Sequence, residues 1–289
     1  MKLLIIFLVA ALNFSSGFAQ TDSTGIKSGD SSSAKASLTL VATYSNNANY
    51  YGQKAEENIP YVAAGATYHF RSGIYISGLA YKLLNDTGAF VSATNLGAGI
   101  AFNLSKKLSM DLSYSHSFYP TYSPFLQASN QDNASLSFTY ENWLSTKLNI
   151  DYAFGKTNDV FITLGTGKMI SLGSITKKDV VTITPSFDVV AGTQHFYQTY
   201  ITEKRLRDSL LGVLLTPIVG APPSQESSTI TTATTRFNLI SYNLKFPIAY
   251  NRANYLFELA YQLSILSEYA ETSPGKANSF ASISFYYQF

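Results

Sequence analysis

The hydrophobic positions of this chain alternate with polar positions in segments that are separated by clusters of Asn, Gly, Pro and Ser. The clearest segment runs from Leu108 to Phe118, where even positions carry Leu, Met, Tyr, His or Phe and odd positions carry Ser or Asp. Successive side chains of a β-strand point to opposite faces, so such a strand is apolar on one side and polar on the other. The pattern predicts β-strands that are buried on one face only.

Twelve segments show this alternation, so we predict an all-β fold of about 12 strands, within a range of 10 to 14. The predicted strands are Leu38–Tyr44, Val62–Phe70, Ile74–Leu83, Leu96–Phe102, Leu108–Phe118, Ala134–Tyr140, Leu148–Phe154, Val160–Thr166, Val181–Val189, Phe237–Phe246, Tyr255–Leu263 and Ser279–Phe289. Links after even-numbered strands are mostly short and links after odd-numbered strands mostly long. Two links depart from this rule: 155–159 is short and 169–179 is long.

The N-terminus has the pattern of an export signal. Lys2 precedes an apolar run from Leu3 to Leu12, and Gly17-Phe18-Ala19 offers small residues at the cleavage positions. A membrane anchor is the alternative, but the run is shorter than the roughly 20 residues that a spanning helix needs. We therefore predict a signal peptide over 1–19, a flexible Ser-rich periplasmic leader over 20–35 and the folded domain over 36–289.

Composition excludes several classes of function. The formal net charge of +2 is spread along the chain without a basic block, which argues against nucleic-acid binding. Cys is absent and the three His residues are not at metal-ligand spacing, so neither a metal nor another cofactor is predicted. Charged residues make up 13% of the chain and aromatic residues 14%, so the usual charged surface of a soluble protein is missing. An exported apolar chain without a spanning helix can enter a membrane as a closed barrel.

The end of the chain makes this more specific. Phe285, Tyr287 and Phe289 alternate with polar residues, and Phe289 is the last residue. In its export signal, strand pattern and terminus, the sequence resembles bacterial outer-membrane β-barrel proteins. The resemblance implies a transmembrane antiparallel up-and-down β-barrel in the bacterial outer membrane, with long extracellular loops and short periplasmic turns. It also implies contact with outer-membrane lipids and with the barrel-assembly machinery, which reads the terminal aromatic residues.

This architecture favours a non-enzymatic protein, either a small porin-like channel or a structural or surface-contact protein. The sequence does not indicate which extracellular ligand, if any, such a protein binds. A soluble secreted β-sandwich that binds through its loops is an alternative, because its strands also alternate. Aromatic residues near the strand ends favour the barrel, where they form girdles at the two membrane interfaces.

One enzymatic alternative centres on His116. Its parity places it on the lipid-facing side of the fifth strand, beside the outward Ser92 and Thr94 of the fourth. A hydroxyl next to an imidazole is the minimal pair for lipid ester hydrolysis. A place in the aromatic girdle is the simpler interpretation of His116, and His69 and His195 are expected to be structural.

Four charged side chains are predicted to face the lumen from three consecutive strands, in its periplasmic half: Asp111, Glu141, Lys147 and Asp151. They fit an internal salt-bridge network that closes a narrow barrel, or a constriction that selects cations.

The loop over 192–232 is predicted to contain a helix from Thr202 to Leu215. Leu206, Leu210, Val213 and Leu214 recur there at helical spacing, and Thr216-Pro217 ends the pattern. Such a helix could enter the barrel as a plug, lie on the outer leaflet or bind a partner.

Overall fold

The computed structural model describes residues 36–86, 90–121, 123–215 and 236–289, with the backbone alone for 206–215. The predicted signal peptide and leader over 1–35 lie outside the described residues and stay predictions. Likewise, the apolar stripe predicted for the loop helix falls on side chains that are not described.

Twelve antiparallel strands form a closed up-and-down barrel, as predicted. Each strand pairs with its neighbours along the wall, and the first strand pairs with the last through partners such as Tyr44 and Ile283. The wall strands are β1 Ser37–Ser45, β2 Tyr61–His69, β3 Ile74–Leu83, β4 Ala93–Asn103, β5 Leu108–Phe118, β6 Asp132–Glu141, β7 Ser145–Phe154, β8 Asn158–Gly167, β11 Ser186–Gly192, β12 Asn238–Arg252, β13 Tyr255–Leu266 and β14 Ala277–Gln288.

Two further strands, β9 (Ile170–Gly173) and β10 (Asp179–Ile183), form a short hairpin that pairs with the end of β12. The ninth predicted strand, Val181–Val189, is therefore wrong as a single element. Its first part belongs to β10 and its second part to β11, because Thr184 and Pro185 interrupt the strand and proline cannot donate to the ladder. The count of wall strands is unaffected.

The connections define two different ends of the barrel, which we call the loop end and the turn end. Tight links such as 70–73, 142–144 and 253–254 lie at the turn end, and long ones such as 46–60 and 119–131 lie at the loop end. The two irregular links fit this division, since 155–157 is a short loop and 168–185 carries the hairpin at the turn end. By the usual rule for such barrels, the loop end is extracellular.

The two faces of the wall differ as the alternation predicts. On β5, Leu112, Tyr114 and Phe118 are about half exposed on the outside, whereas Asp111 is buried inside. The same parity continues on β13, where Phe257, Leu259 and Tyr261 point outward. Because one closed sheet bears its apolar face on the outside, the β-sandwich alternative is wrong.

Two helices lie at the loop end. A 3-10 turn spans Leu126–Ser129, and helix α1 spans His195–Leu215, which starts seven residues before the predicted helix. Over the described ranges, we find no helix with the length and apolar character that a membrane crossing requires.

Candidate functional site

The lumen of the barrel is lined by Ser, Thr, Asn, Gln and Tyr, and it carries eight charged side chains on the described strands. Six are carboxylates and two are lysines: Asp111, Glu141, Asp151, Asp159, Asp188, Glu258, Lys147 and Lys245. The wall around the lumen is therefore net acidic, although the chain as a whole has a formal net charge of +2.

The four lumen charges predicted from parity all point inward. Asp111 accepts a hydrogen bond from the Tyr75 hydroxyl at 3.0 Å, and Glu141 accepts one from Ser145 at 2.7 Å. The predicted height is wrong for Asp151, which lies near the loop end of β7 rather than in the periplasmic half. The strands of a barrel are tilted, so equal parity on neighbouring strands does not imply equal height.

One ion pair that the sequence did not reveal joins the neighbouring strands β11 and β12 on the lumen side. The Lys245 ammonium lies 2.6 Å from a carboxylate oxygen of Asp188, and both side chains are mostly buried. Gly165 makes room for the pair, because a Cβ atom there would lie 2.4 Å from a carboxylate oxygen of Asp188. Both residues lie in predicted strands, but the sequence does not show how these two strands pair.

The connection between β1 and β2, residues 46–60, folds into the lumen, and we call it the inward loop. Its tip is held by two wall strands on the β14 side of β1: Ser241 of β12 donates to the Tyr51 carbonyl at 2.8 Å, and Asn278 of β14 donates to the Gly52 carbonyl at 3.0 Å. Gly52 adopts a φ of 85°, and a Cβ atom would come within 2.9 Å of that of Ser241. This close approach therefore requires glycine.

Aromatic side chains fix the inward loop in place. The ring of Tyr51 stacks on Phe161 of β8 at 3.8 Å between centroids, and Tyr50 meets Phe196 edge to face at 4.9 Å. Tyr50, Phe161 and Phe196 are each at most 4% exposed. Together with Phe125 and Tyr200 they belong to one apolar cluster under the loops, which we call the mouth cluster. The outer half of the lumen is thus narrowed by protein.

Asp159 attaches helix α1 to the rim. Its buried carboxylate accepts hydrogen bonds from the backbone amides of His195 at 2.7 Å and Phe196 at 3.0 Å, and from Thr193 at 2.8 Å. The first amides of a helix lack partners within the helix, and a carboxylate satisfies them and the positive end of the helix dipole. His195 Nδ1 lies 3.0 Å from the same carboxylate, which agrees with the structural role expected for this histidine.

Of the three alternatives for the loop helix, entry into the barrel applies to the first turns of α1, and the side chains of 206–215 lie outside the described residues. The part of α1 that enters the mouth is its first turns, through Phe196 and Tyr200, which precede the predicted helix. The inward loop is the segment that reaches into the lumen.

A second group of polar side chains lies on the outer wall near the loop end, and we call it the outer-wall cluster. His116 Nδ1 lies 2.7 Å from a carboxylate oxygen of Asp132, and the Tyr114 hydroxyl also donates to that oxygen. Parity places all three on the outward face of β5 and β6. Asp132 is the orienting residue that sequence reasoning did not find.

The expected pair of His116 with Ser92 is not formed. Leu96 is the residue of β4 that lies opposite His116, and Ser92 is four residues farther along, about 13 Å of extended chain. The Ser92 hydroxyl instead donates to Asp86 at 2.9 Å and accepts the Leu83 amide at 3.0 Å. Strand pairing, which parity alone does not determine, separates the two residues.

The terminal aromatic residues follow the predicted pattern. Phe285 points outward at 44% exposure, and Phe289 is 65% exposed at the end of the closing strand. The Phe289 amide donates to the Leu38 carbonyl at 2.9 Å, which completes the seam between β14 and β1. Reading of these residues by the assembly machinery stays a prediction.

A closed antiparallel barrel with an apolar exterior and a polar interior is a transmembrane β-barrel of the outer-membrane type. Among solved structures, the chain is similar to the KdgM porin, at 9% identity over 87% of this chain and 99% of that one, with a TM-score of 0.48. It is also similar to an outer membrane channel from Pseudomonas putida F1, at 11% identity over 92% and 98% of the two chains, with a TM-score of 0.43. A third is LpxR from Salmonella typhimurium, at 9% identity over 87% and 99%, with a TM-score of 0.41. These likenesses concern the barrel architecture. No protein-family model and no curated protein matches the sequence.

Proposed function

We propose that this protein is a narrow outer-membrane channel that favours cations and whose extracellular mouth is closed down by its own inward loop. The observation that carries the proposal is the acidic lumen. Six carboxylates and two lysines point into it from the described strands. Charges of one sign around a low-dielectric passage raise the local concentration of the opposite ion.

The lumen charges do not all contribute equally. The Asp159 carboxylate is engaged by the start of α1, and Asp188 is paired with Lys245. Asp111 faces the lumen on the turn-end side of the inward loop, and its carboxylate accepts a hydrogen bond from the neutral Tyr75 hydroxyl. We therefore expect Asp111 to influence ions that pass along this part of the lumen.

Replacing Asp111 with Asn should reduce the preference for cations. The substitution removes one charge and keeps the shape, and we expect the ratio of potassium to chloride permeability to fall by roughly twofold. The ratio is measured as the zero-current potential of refolded protein in a planar bilayer under a potassium chloride gradient. The matched control is Glu268→Gln, which removes an exposed carboxylate at the loop end and should leave the potential unchanged. A cation preference that is identical in Asp111→Asn and the unmodified protein would exclude the constriction role.

The alternative of a structural or surface-contact protein makes a different prediction for the same recording. A barrel whose lumen is fully closed by side chains and loops should show no ion current at any voltage that the bilayer tolerates. Discrete current steps from purified, folded protein therefore separate the channel from the structural role.

A lipid-directed hydrolase is the second candidate, and the contact between Asp132 and His116 favours it. Asp132 fixes one ring nitrogen of His116, so that the other nitrogen could take a proton from water as that water attacks a lipid ester carbonyl. Since Ser92 is engaged elsewhere, water is the nucleophile in this scheme, and the ester oxygen leaves with a proton returned by the imidazole.

The hydrolase candidate predicts that His116→Ala lowers turnover of phospholipid vesicles by refolded protein by roughly a hundredfold, the usual contribution of a general base. The readout is the release of free fatty acid, with Tyr114→Phe as the control that keeps the ring and removes only one hydrogen bond. If His116→Ala and the unmodified barrel release fatty acid at the same rate, the candidate is eliminated.

A further inference from the structure

The hairpin of β9 and β10 extends the wall of the barrel past its turn end. β9 follows closely on β8 and β10 closely precedes β11, so the four strands form one long hairpin. The pairing of β7 with β8 ends at Ser145 and Gly167, at the rim. From Gly167 to Gly173 is about 20 Å of extended chain, or about 15 Å in height at the usual strand tilt of about 40°. The headgroup layer of a bilayer is roughly 5 to 8 Å thick on each side, so the hairpin is long enough to cross it.

The outward face of this hairpin is apolar and continues the lipid-facing band of the wall. Ile183 pairs with Ile248 of β12, which points outward at 42% exposure, and Ile170 pairs with Ile183. Directly opposite residues of neighbouring antiparallel strands share a face, so all three lie on the outside. Leu172 and Ile175, farther along the hairpin, are 57% and 76% exposed. An apolar surface therefore runs from the wall onto the hairpin without a break.

Basic side chains border this apolar surface. Four that are exposed lie on the hairpin or on the adjoining turn: Lys168, Lys177, Lys178 and Arg252. Within the described ranges, the turn end has no exposed Asp or Glu side chain. The one carboxylate of the hairpin, Asp179, is 8% exposed and accepts hydrogen bonds from the amides of Ile175 at 2.8 Å and Thr176 at 3.0 Å, which closes the hairpin turn. The exposed positive charge at this end is thus not balanced by exposed acidic side chains.

Trp143 marks the membrane interface beside the hairpin. Its ring is 70% exposed in the turn between β6 and β7, and the Lys168 ammonium lies 4.9 Å from the ring centre. Tryptophan is enriched at the level of the lipid headgroups, because its ring is apolar and its N–H is polar. This contact therefore holds the charge of Lys168 at the height where lipid phosphates lie.

We infer that the outer face of the hairpin binds phospholipids with anionic headgroups. The acyl chains cover its apolar surface, and the phosphates lie against the ammonium and guanidinium groups, whose stems rest on the same surface. An anionic headgroup is preferred over a zwitterionic one, whose own ammonium offsets the phosphate charge. By the usual rule for such barrels, these lipids belong to the periplasmic leaflet. The inference needs the barrel to span a membrane and does not need it to conduct ions.

Trp143 is the one tryptophan of the protein, so its fluorescence reports on this place alone. The protein is refolded into phosphatidylcholine vesicles that contain a minor fraction of phosphatidylglycerol with brominated acyl chains, which quench tryptophan on contact. A parallel sample carries brominated phosphatidylcholine instead. From the quenching we expect phosphatidylglycerol to bind about fivefold more strongly than phosphatidylcholine. The preference should nearly vanish in about 1 M sodium chloride, where the Debye length is about 3 Å.

The variant Lys177→Gln with Lys178→Gln should lower this preference to about twofold or less and leave the contact between Lys168 and Trp143 in place. The matched control, Arg236→Gln with Lys276→Gln, removes two exposed charges at the loop end and should keep the full preference. Heat-dependent mobility on gels verifies that each variant is folded.

Equal quenching by the two brominated lipids in the unmodified protein would overturn the inference and leave the basic face to an acidic partner in the periplasm. A preference that survives the double substitution in the hairpin would overturn it as well. The quenching does not depend on ion flow: lipid preference without current would refute the channel alone, and current without lipid preference would refute the lipid site alone.

Discussion

Replacing Tyr50–Gln53 with Gly-Ser-Gly-Gly will raise the single-channel conductance of the refolded barrel by about threefold or more, since a 12-stranded barrel is wider than an eight-stranded one, whose interior side chains fill. The replacement keeps the loop length and removes the side chains that cross the lumen. It also removes the stacking of Tyr51 on Phe161 and the hydrogen bond from Thr272 to Gln53 at 2.9 Å. The tip would then lose both of these side-chain attachments, and only its backbone carbonyls would still accept hydrogen bonds from Ser241 and Asn278.

The control for this variant is the double substitution Glu56→Gly and Glu57→Gly. It lies in the same loop and adds the same flexibility, but both side chains are exposed and do not enter the mouth cluster. We expect its conductance to match that of the unmodified protein. An unchanged conductance for the tip variant, in protein shown to be folded, would mean that the inward loop does not restrict flow.

Placing a positive charge at Leu112 will destabilise the barrel strongly, whereas the same charge at the next residue will not. Leu112 is 49% exposed near the middle of β5 on the outward face, and Ser113 faces the lumen. Arg near the middle of the hydrocarbon layer costs about 2 to 4 kcal/mol in barrel proteins. Unfolding in urea, measured after refolding into phospholipid vesicles, should show this loss for Leu112→Arg and a much smaller change for Ser113→Arg.

This pair of variants tests which face touches lipid, because the two positions differ only in parity. Equal losses of stability at Leu112 and Ser113 would indicate that the strand is buried on both faces. A larger loss at Ser113 would indicate that the lumen, and not the exterior, is the dry side.

The wall of the barrel could be predicted from the sequence because its physical basis is local. Alternation along each strand fixed the inward positions of Asp111, Glu141, Lys147 and Asp151, and all four point into the lumen. What parity could not supply was the position of one strand relative to the next. For this reason the prediction put Ser92 beside His116, and it put Asp151 too close to the turn end of the barrel.

Two features escaped prediction for other reasons. The partner of His116 is Asp132, which precedes the apolar residues by which β6 was recognised and therefore lay outside the predicted strand. The inward loop carried a signal that was not used: its sequence around Tyr50, Tyr51 and Ile59 is aromatic and apolar for an extracellular loop. Contacts between loops and a distant wall depend on the closed barrel, and local patterns do not encode them.

The most direct test of the account is a planar-bilayer recording of the unmodified protein, refolded and shown to be folded by its heat-dependent mobility on gels. We predict small, discrete current steps with a zero-current potential that favours potassium over chloride, because water and cations follow an acidic lumen past the inward loop. The absence of current from both the unmodified protein and the variant without the loop tip, or a preference for chloride, would contradict the account.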